Sequence, residues 1–213
     1  MADLVNTIAA HGHQYRINNP DGRIGKPLAR GVPYERKLLE WIFRERHSGV
    51  AVDVGAHVGN HSLWFAAVCG LQVHAFEPLR YDALWANVAL NHLEGAIEVH
   101  PVALGATEGV AESQGRGRLA VGEGSVPVRT LDSFGLSGLS VLKADVEFME
   151  PDVLRGAENT ICGQRPTVYV EVHDEARHDA VADVLEPWGY RHTRTINTAS
   201  PVERWAHEED QRG

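Results

Sequence analysis

Apolar positions follow two different periods along the chain. Val50-Ala51-Val52-Asp53-Val54 and the segments 71–76, 97–104, 139–146 and 167–173 are short apolar runs of the length of buried strands. Between them, apolar residues recur at helical spacing. After Pro33 come Tyr34, Leu38, Leu39, Ile42 and Phe43 on one face. A helix over 61–69 is predicted to be capped by Asn60 and stopped at Gly70. Tyr81, Leu84, Trp85 and Val88 share one side of a helix over 81–93. Pro151 opens a helix through Val153, Leu154, Ala157 and Ile161, and Val181, Val184 and Leu185 mark another over 176–188. Segments 190–196 and 202–206 read as a closing strand pair. Strands alternating with helices predict a doubly wound α/β fold with a mostly parallel sheet and right-handed crossovers. The closing pair adds an antiparallel edge.

Two stretches break this rhythm. The first 30 residues read as loop, with turn signals at Asn18-Asn19-Pro20-Asp21-Gly22. We take 1–32 as an extension serving as a substrate lid, ahead of one domain over 33–213. The segment 105–128 holds six glycines and no helical period. It predicts turns or a hairpin outside the sheet, with a flap over a ligand as the functional alternative.

Composition narrows the class. With 213 residues, 43% hydrophobic and 23% charged, the chain suits one globular domain. No apolar stretch approaches the ~20 residues that span a bilayer, so no membrane partner is expected. Met1-Ala2-Asp3-Leu4-Val5-Asn6 lacks the basic cap and apolar run of a secretory signal. Cys69 and Cys162 are too few for a disulfide framework, and a cytoplasmic location follows. The net charge of −9 counts against nucleic acid as a partner, because phosphate binding calls for a basic excess. Residues 16–46 nevertheless carry eight basic and four acidic side chains, so this segment is +4 and the rest −13. That is either a solvated surface or a local attraction for a polar or anionic substrate. Whether the chain acts as a monomer or a homo-oligomer stays open at this level.

Ligands of open parallel sheets lie beyond the carboxyl ends of the strands. The first such end is Asp53-Val54-Gly55-Ala56-His57-Val58-Gly59-Asn60. Gly55 and Gly59 admit close backbone approach, and Asp53 can accept from an ammonium. The second strand ends in Phe76-Glu77-Pro78, where a carboxylate is placed for ribose hydroxyls. Dinucleotide folds want G-x-G-x-x-G, but here the spacing is G-x-x-x-G. This favours S-adenosylmethionine, whose amino-acid end Asp53 would meet. An NAD-dependent oxidoreductase is the runner-up, and a non-catalytic cofactor-binding module a third reading.

Over about 30–195 the chain resembles class I S-adenosylmethionine-dependent methyltransferases, and more narrowly the FkbM-like family. The carriers begin with the glycine turn, Ala75-Phe76-Glu77-Pro78 and Asn87-Val88-Ala89-Leu90-Asn91. They continue with Val102-Ala103-Leu104-Gly105, Val128-Arg129-Thr130-Leu131-Asp132, Leu142-Lys143-Ala144-Asp145-Val146-Glu147 and Arg165-Pro166-Thr167-Val168-Tyr169-Val170-Glu171. The resemblance implies a seven-stranded sheet and O-methylation of a small-molecule or sugar hydroxyl, with N-methylation as the alternative. Two positions depart from the family pattern: His57 stands where Asn is usual, and Phe148 where Gly is usual.

The expected cofactor set is Asp53, Gly55, His57, Gly59, Asn60, Glu77, Leu79, Val102, Ala103 and Asp145. The expected catalytic set is His173, Glu147, Glu171 and Asp145, at the ends of the fourth and fifth strands. His173 is the best-matched base, because histidine is the side chain whose unperturbed pKa lies closest to neutral pH. Lys143 reads as a charge partner of these acids. Asp145 and Glu171 would hold Mg²⁺ if a divalent cation took part, a less favoured reading. The remaining histidines, of twelve in all, read as mostly single and without a special role.

Overall fold

The computed structural model describes residues 5–18, 22–115, 117–198 and 200–209, without the side chain of Arg23. Residues 1–4 of the stretch Met1–Asn6 and 19–21 of the turn signals at 18–22 lie outside the described residues. In chain order the elements are β1 (Val5–Ala10), β2 (His13–Asn18), α1 (Gly22–Leu28), α2 (Arg36–Glu45), β3 (Val50–Val54), α3 (Asn60–Ala67) and β4 (Gln72–Phe76). Then follow α4 (Tyr81–Leu90), β5 (Ile97–His100), β6 (Ala103–Leu104), β7 (Gly109–Gly115), β8 (Arg118–Val121), β9 (Val126–Arg129) and β10 (Leu139–Ala144). The chain closes with α5 (Glu150–Arg155), α6 (Glu158–Gln164), β11 (Thr167–Glu171), α7 (Glu175–Leu185), β12 (Tyr190–Asn197) and β13 (Pro201–His207). Among the described residues no helix is long and apolar enough to cross a membrane.

The main sheet has seven strands in the order β12-β13-β11-β10-β3-β4-β5. The run from β11 to β5 is parallel, and β13 and β12 add the antiparallel edge. Side chains alternate between faces, as the strand period of two requires. Ala51, Val73, Ala75, Val141 and Tyr169 face α2 and α3 through Leu38, Leu39, Ile42, Leu63 and Trp64. Val52, Val54, Leu142, Ala144, Val168 and Val170 face the other helical layer through Val153, Leu154, Ile161 and Leu185. Strands covered on both faces read as continuous apolar runs, which is why they were visible in the sequence.

The structure departs from the sequence reading in four places. The leading segment is not loop: β1 and β2 pair antiparallel as a hairpin whose Ile8, Tyr15 and Ile17 enter the core. Alternation there is imperfect, so periodicity missed it. Second, 97–104 is two strands, since Ala103–Leu104 leaves the main sheet to pair with β9. Together with the β7–β8 hairpin these form a separate four-stranded sheet built largely from the glycine-rich insertion. Third, the helix expected over 151–161 is broken at Gly156, where a Cβ would lie 2.0 Å from the Gly105 carbonyl oxygen. Finally, Gly59 rather than Asn60 occupies the cap of α3, in a left-handed conformation (φ 93°).

The hairpin is fastened to α4 by two asparagines one helical turn apart. Asn87 accepts from the Asn18 N–H (2.7 Å) and donates to the Asn18 (2.9 Å) and Val58 (2.8 Å) carbonyls. Asn91 accepts from the Arg16 N–H and donates to the Arg16 carbonyl, both at 2.6 Å. Four helical residues rise about 6 Å and two strand residues about 6.7 Å, so i, i+4 amides match i, i+2 strand positions. The asparagines thus act as a substitute strand for the edge of β2.

Candidate active site

A cavity of about 890 Å³ opens beyond the carboxyl ends of β3, β4, β10 and β11. That lies in the size range of small-ligand and cofactor sites. Eight of the ten expected cofactor residues line it: Gly55, His57, Asn60, Glu77, Leu79, Val102, Ala103 and Asp145. All four expected catalytic residues, Asp145, Glu147, Glu171 and His173, line it as well.

Asp53 does not reach it. It is 0% exposed; its Oδ2 accepts from the Ser62 hydroxyl at 2.6 Å, and its Oδ1 lies 3.3 Å from the Lys143 ammonium. The expected ammonium is present, but it belongs to this chain and arrives through the β3–β10 register, in which Asp53 and Lys143 are paired. Gly59 also sits behind the wall, where a Cβ would meet Leu84 at 2.7 Å. At Gly55 (φ 76°) a Cβ would lie 1.9 Å from the Asp145 carbonyl oxygen. Both glycines are therefore required by packing within the protein. Asn60 lines the cavity, yet its amide is spent on the backbone N–H and C=O of residue 34, both at 3.0 Å.

One end of the cavity is organised by Glu77. Its Oε1 accepts from the Leu79 (2.7 Å) and Arg80 (2.9 Å) N–H groups, and its Oε2 from the His57 N–H (2.9 Å). These bonds occupy three of about four acceptor sites on a carboxylate, leaving Oε2 one site for a hydroxyl donor. His57 presents its N–H from a left-handed backbone (φ 53°).

At the other end lies a buried charge cluster. Burial alone would lower the Lys143 pKa, but Asp145 and Asp53 outweigh it and hold the ammonium above its ordinary value. Burial raises the Asp145 carboxyl, but the Lys143 charge 3.4 Å away and a hydrogen bond from Glu171 outweigh it, and Asp145 stays below the usual range. Burial, then the neighbouring Asp145 charge, push Glu171 up to about 8. Near neutral pH, then, Glu171 keeps its proton and shares it with Asp145. The His173 Nε2 lies 3.1 Å from the Glu171 Oε2.

The turn after β10 is unusual. Glu147 (φ 52°) and Phe148 (φ 85°) are both left-handed, a conformation costly for a side chain with a Cβ. The buried Glu150 carboxylate holds them by accepting from the Val146 (3.0 Å) and Phe148 (3.3 Å) N–H groups. The Phe148 ring then lies between the guanidinium groups of Arg118 (4.5 Å) and Arg177 (4.7 Å), tilted against His173. Arg118 belongs to the insertion, which also contributes Ser113, Gly117 and Leu119 to the cavity wall.

The strand-end reading missed Tyr34, His61 and Ser200, which line the cavity too. His61 approaches Glu35 at 3.2 Å, and Ser200 follows β12 in the antiparallel edge. The rule for parallel strands does not point to such positions.

A family model described as the methyltransferase FkbM domain matches residues 53–192. No curated protein sequence matches the chain. Among solved structures, the methyltransferase FkbM of Methylobacillus flagellatus superposes with a TM-score of 0.53 at 20% identity. That match covers 74% of this chain and 43% of the other, so this chain spans less than half of that protein's length. Sp1610 of Streptococcus pneumoniae, provisionally assigned as a tRNA (m1A22) methyltransferase, gives 0.55 at 15% identity over 80% and 69% of the two chains. The METTL16 MTase domain gives 0.55 at 12% identity over 85% and 71%. At such identities these structures establish the shared fold.

Proposed function

Since this chain belongs to the FkbM methyltransferase family, we propose that it transfers a methyl group from S-adenosylmethionine to a hydroxyl oxygen of a small polar acceptor. The observation that carries the reading is one cavity joining the Glu77 carboxylate at one end to the Asp145–Glu171–His173 cluster at the other. The cofactor, when bound, supplies an electrophilic methyl group. The residues fit it: Glu77, with an acceptor site left on Oε2, binds a ribose hydroxyl, and Leu79, Val102 and Ala103 give an apolar surface for the base. Asp53, being paired with Lys143, is replaced in our reading by Asp145, whose carboxylate faces the cavity. It receives the amino-acid end.

Methyl transfer depends mainly on positioning, with a base taking the proton of the attacking hydroxyl. His173 serves as that base. With the Glu171 O–H donating a hydrogen bond to the Asp145 carboxylate, the Glu171 Oε2 accepts from the His173 Nε2–H. The imidazole lone pair is then on Nδ1, which takes the acceptor's proton. Lys143 beside Asp145 disfavours a cation there, so the reading is metal-free. The +4 segment reaches the cavity through Ile24 of α1, and we assign Lys26 and Arg30, both exposed, to its acceptor side. An acidic chain makes a nucleic-acid acceptor the weaker alternative.

Calorimetric titration with S-adenosylhomocysteine tests the cofactor assignment. Binding is expected, weakened roughly thirtyfold or more in Glu77→Ala, as for a buried charged hydrogen-bonding group. No binding to the folded wild-type chain, or equal affinity in the variant, refutes it. Radiolabelled methyl transfer into a panel of hydroxylated metabolites, amines and RNA then decides the acceptor class.

A further inference from the structure

A second site lies at the far edge of the main sheet. His74 on β4 is in register with Glu98 on the neighbouring β5. His100 follows Glu98 by two residues, so all three side chains leave the same face of the sheet. The His74 Nδ1 lies 3.0 Å from the His100 Nε2. Glu98 approaches with Oε2 3.6 Å from His74 and Oε1 3.8 Å from His100. One ligand atom from each residue falls within 4.8 Å of the others. The His100 ring is fixed from behind by Phe76, stacked at 4.5 Å, and by the edge of Phe134 at 5.0 Å.

We propose that His74, Glu98 and His100 form a binding site for a divalent transition metal of the zinc type. Ligand atoms at the corners of a tetrahedron with bonds of about 2.0–2.1 Å lie about 3.3 Å apart; the two nitrogens are 3.0 Å apart, and a carboxylate rotation brings one Glu98 oxygen, now within 4.8 Å of both, to that distance. Two imidazoles and one carboxylate suit Zn²⁺, Co²⁺ or Ni²⁺ better than the oxygen-seeking Mg²⁺ or Ca²⁺. Three protein ligands leave the fourth position to water, and Glu98, the most exposed of the three, keeps the site open to solvent. Without metal, the two rings share one proton between Nδ1 and Nε2. When a metal ion binds, that proton moves to the other nitrogen of its ring, and both facing lone pairs are given to the ion. The site clasps the last two strands of the sheet, and the His100 carbonyl in turn accepts from the Glu77 N–H at 3.0 Å. It stands apart from the proposed cofactor cavity, which none of the three residues lines.

The test is equilibrium dialysis of chelator-treated full chain against zinc, with the cobalt absorption spectrum as a second readout. One zinc per chain is expected, with a cobalt spectrum of low coordination number. Glu98→Gln, a surface change that leaves the fold intact, and His74→Gln should each lower affinity about tenfold or more, the loss expected when one ligand is removed. Glu77→Ala should keep one zinc, which separates this site from the proposed cofactor site. Absence of saturable binding, or unchanged affinity in either ligand variant, overturns the proposal and leaves a histidine pair joined by a hydrogen bond.

Discussion

Asp53 and Glu171 are both carboxylates at strand ends, yet their surroundings give them opposite tasks. Asp53 is sealed against Lys143 and Ser62, so it anchors the site from behind. Glu171 borders the cavity and carries a proton, because burial and Asp145 raise its pKa to about 8. This has a consequence for stability. The folded form binds a proton that the unfolded chain releases near the ordinary glutamate value of ~4.3. The stabilisation is complete below about pH 4.3 and is lost as pH rises toward 8. Glu171→Gln, which cannot titrate, should therefore flatten the decline in the urea midpoint between pH 5 and 8. A decline equal to that of wild type would show that Glu171 is ionised in the folded state. The carboxylates were legible as acids at strand ends, but their division of labour was not. Lys143 is far from Asp53 in the chain and reaches it only through the pairing of β3 with β10.

At the scale of elements, the two departures from the family pattern share a physical basis. His57 and Phe148 both sit in left-handed backbone, where Asn and Gly, the residues that the resemblance implies there, are the types that tolerate it best. At Phe148 the aromatic ring compensates, by lying between Arg118 of the insertion and Arg177 of α7. Two cation–π contacts contribute about 0.5–1 kcal/mol each, comparable with a left-handed penalty of about 1–2 kcal/mol. Phe148→Ala keeps the penalty and loses both contacts, so it should destabilise the chain by about 1–2 kcal/mol. Phe148→Gly loses the contacts but also the penalty, so it should be about 1 kcal/mol more stable than the alanine variant. That order reverses the usual preference for alanine over glycine, and denaturant unfolding measures it. An alanine variant as stable as the glycine one would remove backbone strain from the account. The insertion was legible as a turn-rich hairpin because glycines interrupt both periods. Its docking against Phe148 was not, since it depends on a side chain carried by another element.

At the scale of the whole molecule, the alternation of strands and helices was enough to reveal a doubly wound sheet and its antiparallel edge. The ends of the parallel strands were enough to locate the cavity. The leading hairpin escaped because its contribution is tertiary. Ile8, Tyr15 and Ile17 bury into the core between the main sheet and α2 and α3, and its hydrogen bonds run to Asn87 and Asn91 on a helix some seventy residues away. Those asparagines open and close the Asn87–Asn91 block that carries the family resemblance, and the structure gives them a mechanical role. Asn87 is buried and serves three backbone groups, those of Asn18 and Val58, which cannot all recruit water once the amide is gone. Orphaned backbone groups cost about 1–3 kcal/mol each, and with partial hydration Asn87→Ala should lose about 3 kcal/mol of unfolding free energy. Asn91 bonds Arg16 at an exposed position, where water substitutes readily, so Asn91→Ala should lose only about 1 kcal/mol. Hydrogen exchange should then find the β1–β2 amides released in Asn87→Ala while the β3–β10 amides stay protected. Equal losses from the two variants, or an unperturbed hairpin in Asn87→Ala, would mean that apolar burial alone holds the leading segment in place.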